Sequence, residues 1–392
     1  MADDQVRKVG IIADPQVRAA PASLDDEPCW SGTTRHYSAV LDHVHTAVQE
    51  FRRNQVSWVM QLGDLVDNGN AKVDPPSSQD ALCAVEKELA LCHEDGLDRV
   101  HHVIGNNDIQ NFSREDWATY EWARRGRRFV GKDLEHEGAY THYYDFKPFE
   151  DLQWRFVILD SFVVNIVPGD SNNVEEAKAM LTSPGTGSVG CTGLAADASP
   201  DEYRKSLFGD RYNELAVDDP RRRFTWGNGG FGSAQLQWLR NVLDTAKEKD
   251  ERVILFAHNP VHPEVVNDPD ALAYDYDKLL DLIKEYKKYI VAHVAGHDHI
   301  GGYTHDRDSD VHHLTVASPL EAASGTGSRF LIMEMNKEKV LLKGCMSVAE
   351  NPIKRAFGED VDGRARMAQA QLTNRYVNFA THWGVAWPAK VE

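Results

Sequence analysis

Five polar blocks in this chain could together hold metal cations: Asp14-Pro15-Gln16, Gly63-Asp64-Leu65-Val66-Asp67, Gly105-Asn106-Asn107-Asp108, the single His258, and Gly296-His297-Asp298-His299. Their donors are carboxylate and amide oxygens and imidazole nitrogens, with no thiolate among them. Such a set suits hard to borderline divalent ions. Taken one at a time the blocks say little, because an Asp behind an apolar run is more often a turn or cap residue than a ligand. As an ordered set they could supply ligands to more than one cation. Two cations about 3.5–4 Å apart can clamp the attacking and leaving oxygens of an in-line displacement and acidify a shared water. Two dications set against Asp14, Asp64 and one hydroxide leave a local excess of one positive charge, which suits an anionic substrate.

Each block must be positioned by the element before it. Short apolar runs over 8–13, 57–62, 100–104, 252–257 and 290–295 read as buried strands that end at the blocks. Helical stretches over 36–53, 79–94, 233–249 and 274–288 lie between them. In the third helix Leu236, Leu239, Leu243 and Ala246 share one face, with Ser233 as the expected cap. This alternation argues for α/β layers with mainly parallel pairing, in which polar residues at the carboxyl ends of strands converge. Runs over 311–317, 329–335 and 339–343 read as closing strands of a second sheet. The stretch 163–229 breaks the rhythm: it is rich in Gly, Ser, Pro and Asp and carries TSPGTGSVGCTG and Arg221-Arg222-Arg223. It reads as an insertion or lid. After Ala349 the chain is polar and helix-prone, and no internal repeat is found.

Composition narrows the partners. The 392 residues are 42% hydrophobic and 27% charged, ordinary for a globular protein. Lys and Arg number 43 against 61 Asp and Glu, a formal charge of −18. Such a field repels polyanions, which excludes nucleic acid and anionic membrane as expected partners and leaves a small phosphorylated nucleotide. Cys29, Cys83, Cys92, Cys191 and Cys345 show no CxxC spacing, pointing to a reducing compartment. The start MADDQVRKVG lacks a signal-peptide pattern and no run of 18 apolar residues occurs, so a cytoplasmic protein is expected. Nothing in the sequence fixes an oligomeric state.

The ordered blocks resemble those of the calcineurin-like metallophosphoesterase superfamily: DxH, GDxxD, GN(H/N)(D/E), H and GHxH. The resemblance implies a four-layer αββα sandwich of two mixed β-sheets flanked by helices, occupying 1–349, with 163–229 inserted and 350–392 as an extension. It implies that Asp14, Gln16, Asp64 and His299 bind one metal and Asp64, Asn106, His258 and His297 the other, with Asp64 as the bridge. The nucleophile would be a hydroxide shared by the two ions, without a covalent phosphoenzyme. Asp67 is expected either to orient a ligand histidine or to cap a helix. Purple acid phosphatases of this superfamily carry Tyr at that position, so Asp67 argues against that branch.

Further stretches are similar to the manganese-dependent ADP-ribose/CDP-alcohol diphosphatases: Gln16 in place of His, His101-His102, Asn111-Phe112-Ser113-Arg114, Asn228-Gly229-Gly230-Phe231 leading into Gln235-Leu236-x-Trp238-Leu239, and Gly301-Gly302-Tyr303 after His299. An amide oxygen at Gln16 favours Mn²⁺ or Mg²⁺ over Zn²⁺ or Cu²⁺. Two Mn²⁺ ions are therefore expected, with Mg²⁺ or Fe as alternatives. Asn107 stands where most relatives have a His held to assist the leaving oxygen, and Asn cannot deliver a proton. That loss matters least when the leaving group is itself a phosphate, with a second pKa of about 6. His262, four residues after His258, is the expected substitute acid. The leading expectation is hydrolysis of the phosphoanhydride of ADP-ribose, a CDP-alcohol or a similar conjugate. The alternatives are a cyclic-nucleotide phosphodiesterase or broad phosphatase on the same centre, and a catalytically impaired metal-binding interaction protein.

Overall fold

The computed structural model describes residues 6–345, apart from 30–32, 95, 120–141, 169, 171–172, 189, 192–193, 196, 208–213, 217 and 338–339, together with 377–378. Twelve strands make up its two main sheets. They are β1 Arg7–Ile12, β2 Trp58–Gln61, β3 Val100–His102, β4 Tyr144–Phe146, β5 Trp154–Ile158, β6 Arg252–Phe256, β7 Ile290–Ala295, β8 Gly302–Asp306, β9 Val311–Thr315, β10 Phe330–Met335, β11 Val340–Cys345 and β12 Val377–Asn378. One sheet runs β12-β11-β10-β1-β2-β3 and the other β8-β9-β7-β6-β5-β4, six strands each. Both are mixed: β1, β2 and β3 pair in parallel while β10 joins β1 antiparallel, and β5, β6, β7 and β9 are parallel between antiparallel β4 and β8.

The two-residue alternation of strands explains how the sheets stack. Val9 and Ile11 of β1, Met60 of β2, and Leu331 and Met333 of β10 point into one cluster with Phe156, Ile254, Val294 and Leu314 of the other sheet. Ile12, Val59 and Ile332 face the opposite way. They pack on α1 Val40–Arg53 and α2 Ser78–Leu89, whose Val44, Ala47, Val48, Phe51, Leu82 and Val85 recur at helical spacing. Leu239, Leu243 and Ala246 of the 17-residue helix Gly232–Glu248 cover the outer face of the second sheet, beside Leu279 and Ile283 of helix Tyr276–Glu285. The result is the expected αββα order.

Two details differ from the sequence reading. The runs over 329–335 and 339–343 do not close the second sheet; as β10 and β11 they extend the first, because Leu331 pairs with Ile11 across an antiparallel ladder. Ser233 is also not the helix cap. The Asp275 carboxylate takes that role from outside, accepting from the Phe231 and Gly232 N–H groups at 2.9 Å each.

The stretch 163–229 is packed where it is described. It holds helices Val174–Thr182 and Pro200–Leu207, and Val164–Asn165 pairs with Gly229–Gly230. Val164, Ile166, Leu181, Tyr203 and Leu207 form a further buried cluster with Tyr274. The arginine triplet is used in folding. Arg221 pairs with Asp219, Arg222 with Asp268, and Arg223 donates to the Tyr274 carbonyl. The helix-prone reading of 350–392 lies outside the described residues, except that Val377–Asn378 pair as a strand with β11. No helix among the described residues is long and apolar enough to cross a membrane.

Candidate metal centre

The carboxyl ends of β1, β2, β3, β6 and β7 deliver Asp14, Asp64, Asn106, His258 and His297 to one place, so both sheets contribute. The first two loops are knitted by backbone hydrogen bonds, from Asp14 N to Gly63 O at 3.1 Å and from Gln16 N to Asp64 O at 2.9 Å. Asp14, Gln16, Asp64 and His297 all have positive φ, of 50°, 43°, 55° and 69°. Left-handed backbone at non-glycine residues costs roughly 1–3 kcal/mol each and gathers at functional sites. Glycine is required beside them: a Cβ on Gly105 would lie 2.1 Å from Asp64 Oδ1, and one on Gly296 2.5 Å from Asp14 Oδ2.

Three imidazoles converge on the two aspartates. His258 Nε2 lies 3.1 Å from His297 Nδ1, 3.6 Å from Asp64 Oδ1 and 3.8 Å from Asp14 Oδ1. His299 Nε2 lies 3.7 Å from Asp14 Oδ1 and 3.0 Å from the Gln16 amide nitrogen, which also donates to Asp64 Oδ2 at 2.8 Å. One donor atom each from Asp64, His258 and His297 fit within 4.8 Å of one another. The fit to cations can be tested on the oxygens. Asp14 Oδ1, Gln16 Oε1 and Asn106 Oδ1 are buried without a hydrogen-bond partner. Orphaned buried oxygens on three of the seven candidates are what cation ligands leave when their hydrogen-bonding capacity is reserved for a metal. A half-turn of the Gln16 amide brings its oxygen to the side of Asp64 and His299.

Electrostatics agree. Burial, then the neighbouring Asp64, pushes the Asp14 carboxyl well above its usual range, and burial raises Asp64 despite His258. Burial and then His258 push the His297 imidazole well below its ordinary value. Buried carboxylates pressed together beside a His297 imidazole held in its neutral form lack positive charge, which two dications would supply.

Each imidazole is fixed through its other nitrogen. His258 Nδ1 donates to the Leu62 carbonyl at 2.7 Å, His297 Nε2 to Asn228 Oδ1 at 2.7 Å, and His299 Nδ1 to Glu321 Oε1 at 2.9 Å. Since the acceptors are oxygens, the nitrogens facing the centre carry lone pairs. Asn228 is held in turn by the Arg223 and Leu272 carbonyls. Asp108 braces two loops at once, accepting from Asp64 N, Leu65 N and Gly105 N at 2.8–2.9 Å. The sequence reading missed Glu321 altogether and gave Asn228 no role.

Of the two roles expected for Asp67, the structure shows the helix cap, and Asn107 and His262 have partners of their own. Asp67 orients no ligand histidine; it accepts from Arg18 Nε at 2.8 Å, Tyr37 OH at 3.1 Å and Gly69 N at 2.7 Å, the last as a helix cap. Asn107 is fully engaged: its backbone N–H donates to Asp64 Oδ1 at 2.8 Å, its side-chain Nδ2 donates to Asp64 Oδ2, and its side-chain Oδ1 accepts from Asn68 N. His262 belongs to another group. Its Nδ1 accepts from Glu264 N and its ring lies 4.7 Å from that of His313, which sits beside His293 on the side of β9 and β7 turned away from Leu314 and Val294.

A family model described as calcineurin-like phosphoesterase matches residues 7–301. The chain belongs to this family. As a calcineurin-like phosphoesterase it is 30% identical, over 87% of its length and 96% of the relative's, to the manganese-dependent ADP-ribose/CDP-alcohol diphosphatase of Danio rerio. It is 29% identical to the protein of that name from Arabidopsis thaliana, over 86% of this chain and 93% of that one. Among solved structures, a dimetal phosphatase from Danio rerio superposes with a TM-score of 0.70 at 29% identity, covering 86% of this chain and 95% of the other. The sandwich is thus the fold of that dimetal phosphatase.

Proposed function

We propose that this calcineurin-like phosphoesterase is an Mn²⁺-dependent diphosphatase that hydrolyses the phosphoanhydride of a nucleoside diphosphate conjugate such as ADP-ribose or a CDP-alcohol. The observation that carries it is the meeting of three orphaned ligand oxygens with three lone-pair nitrogens around Asp14 and Asp64, in a chain whose curated relatives bear that name. Asp14, Gln16, Asp64 and His299 would hold one ion, and Asp64, Asn106, His258 and His297 the other. When bound, such ions neutralise anionic phosphate oxygens and lower the pKa of water.

The chain's own residues set geometry and selectivity. Asp108, itself held by the Gly105 N–H, fixes the Asp64 backbone, while Asn107 holds both oxygens of the Asp64 carboxylate. Because Asn107 donates its backbone N–H and its side-chain Nδ2 to Asp64 and has no acidic proton, leaving groups that depart unprotonated are favoured. A phosphate leaving group from an anhydride meets that condition, and an alkoxide from a simple diester does not. The domain reading is one unit over 1–349 with 163–229 inserted and 350–392 as an extension, and the free cysteines among the described residues, Cys29, Cys83, Cys92 and Cys191, fit a reducing cytoplasm.

The test is a substrate panel with purified protein and MnCl₂. Release of a nucleoside monophosphate from ADP-ribose or CDP-choline is expected to exceed hydrolysis of cyclic nucleotides and monoesters. Faster turnover of either of the latter classes overturns the proposal.

A further inference from the structure

The three imidazoles of the centre are anchored by three chemically different acceptors: a backbone carbonyl for His258, a side-chain amide for His297 and a carboxylate for His299. A carboxylate behind an imidazole strengthens the ring's donor power more than a neutral acceptor does, and such partners typically change metal affinity by about 10–100-fold. The half of the centre that has this help is the one built from Asp14, Gln16 and His299. It is also the half in which an amide, a weaker donor than imidazole, occupies the Gln16 position.

The turn that carries Glu321 is built to stay in place. Ser318 N donates to the His299 carbonyl at 3.0 Å and Ser318 Oγ to the Asp14 carbonyl at 2.6 Å, so the turn is tied to both ligand loops of that half. Ser318 Oγ also caps Pro319–Glu321 by accepting from Leu320 N. From outside, Arg329 donates to the Ser318 and Glu321 carbonyls at 3.1 and 3.0 Å. Glu321 has a fully buried side chain and reaches past this scaffold to His299.

We propose that Glu321 is a positioning residue that sustains one cation position selectively: through His299 it offsets the weak amide donor at Gln16 and keeps the Asp14–Gln16–His299 half occupied, while the Asn106–His258–His297 half does not depend on it. This rests on the dinuclear reading. Asn228 is its counterpart on the other side, acting through His297.

The experiment is a titration of chelator-stripped, full-length protein with MnCl₂, reading free ions by electron paramagnetic resonance at room temperature and magnetic coupling between bound ions in the frozen state. Wild type is expected to take up two ions per chain that couple through Asp64. In Glu321→Gln the amide oxygen can still accept the His299 proton, so the ring keeps its place and only the negative charge goes. One class of ion should weaken about 10–100-fold while the other is unchanged, and at Mn²⁺ levels that fill only the remaining site the coupled signal should give way to that of an isolated ion. Asn228→Ala should weaken the opposite class, and the double variant both. Two wild-type affinities in Glu321→Gln, or equal weakening of both, overturns the inference. Fewer than two ions on the wild type overturns the dinuclear reading instead. If Glu321→Gln does not fold, as shown by circular dichroism, Glu321→Asp replaces it; the shorter carboxylate should weaken the same single class, and unchanged binding there counts against the proposal.

Discussion

Asn107 grips Asp64 at both carboxylate oxygens, by its backbone N–H at 2.8 Å and by its side-chain amide. Asn107 is therefore a brace for the Asp64 carboxylate. Asn107→Ala should free one side of that carboxylate and lower kcat/KM by about 10–100-fold, the usual cost of losing a ligand's partner. Asn107→Asp should lose more, since it sets a second negative charge against Asp64. Steady-state kinetics with ADP-ribose and MnCl₂ decide; wild-type rates in Asn107→Asp would remove the brace from the account.

Loss of the shared ligand should be graver. Asp64→Asn is expected to reduce turnover by more than about 100-fold and to abolish the Mn²⁺-dependent rise in thermal stability. For wild type, an ion at 100 times its dissociation constant adds about 2.7 kcal/mol. Thermal melts with and without MnCl₂, before and after dialysis against EDTA, measure this.

His262 should matter little to the chemistry. Its contacts are Glu264 and His313, and burial lowers its pKa. A general acid typically contributes about 10²–10⁴-fold. His262→Gln should stay well short of such a loss, and a hundredfold drop in kcat at unchanged KM would restore it as the acid.

Acid should unfold the protein partly through His293. This imidazole is buried with neither ring nitrogen partnered, and burial pushes its pKa down to about 3. The unfolded chain then takes up a proton near the ordinary histidine pKa while the folded one does not. Stability is thus unaffected above pH ~6.5, falls as pH drops below that value, and stops falling from this cause near pH 3. At pH 5 the loss is roughly 2 kcal/mol, at about 1.4 kcal/mol per pH unit. Urea melts at pH 7.5 and 5 in EDTA should show a smaller difference for His293→Leu than for wild type.

Arg114 should be indispensable for stability. It is 7% exposed and bonds Asp160 and Asp170 at 2.6 Å each, while also donating to the Phe162 carbonyl. Arg114→Met leaves two acidic groups buried without their cation, at a cost of about 3–5 kcal/mol. An unshifted urea midpoint would mean that water reaches this ion network.

The candidate ligands were legible in the sequence because each lies just after an apolar strand, so local pattern and spatial position coincide. Their supports were not. Glu321 is 22 residues from His299 and Asn228 69 from His297, with no spacing rule to join them, because each sits in a turn or loop brought to its histidine only by the tertiary fold. For Asp67 the sequence left a helix cap and a ligand-orienting role open, since proximity to Asp64 along the chain does not reveal that Arg18, Tyr37 and Gly69 reach its carboxylate. The run 329–335 is plainly strand-like, but only the pairing of Leu331 with Ile11 decides which sheet it joins. In 163–229 the Gly and Pro content hid apolar residues such as Ile166 and Leu181, spaced far apart but packed together.

A suitable donor atom does not by itself qualify a side chain for positions 14, 16, 64 or 297. With φ between 43° and 69° there, β-branched replacements are penalised by the main chain before any coordination is considered. Asn106, His258 and His299 carry no such restriction. Attempts to retune this enzyme toward a softer metal therefore have their freest choices at those three positions.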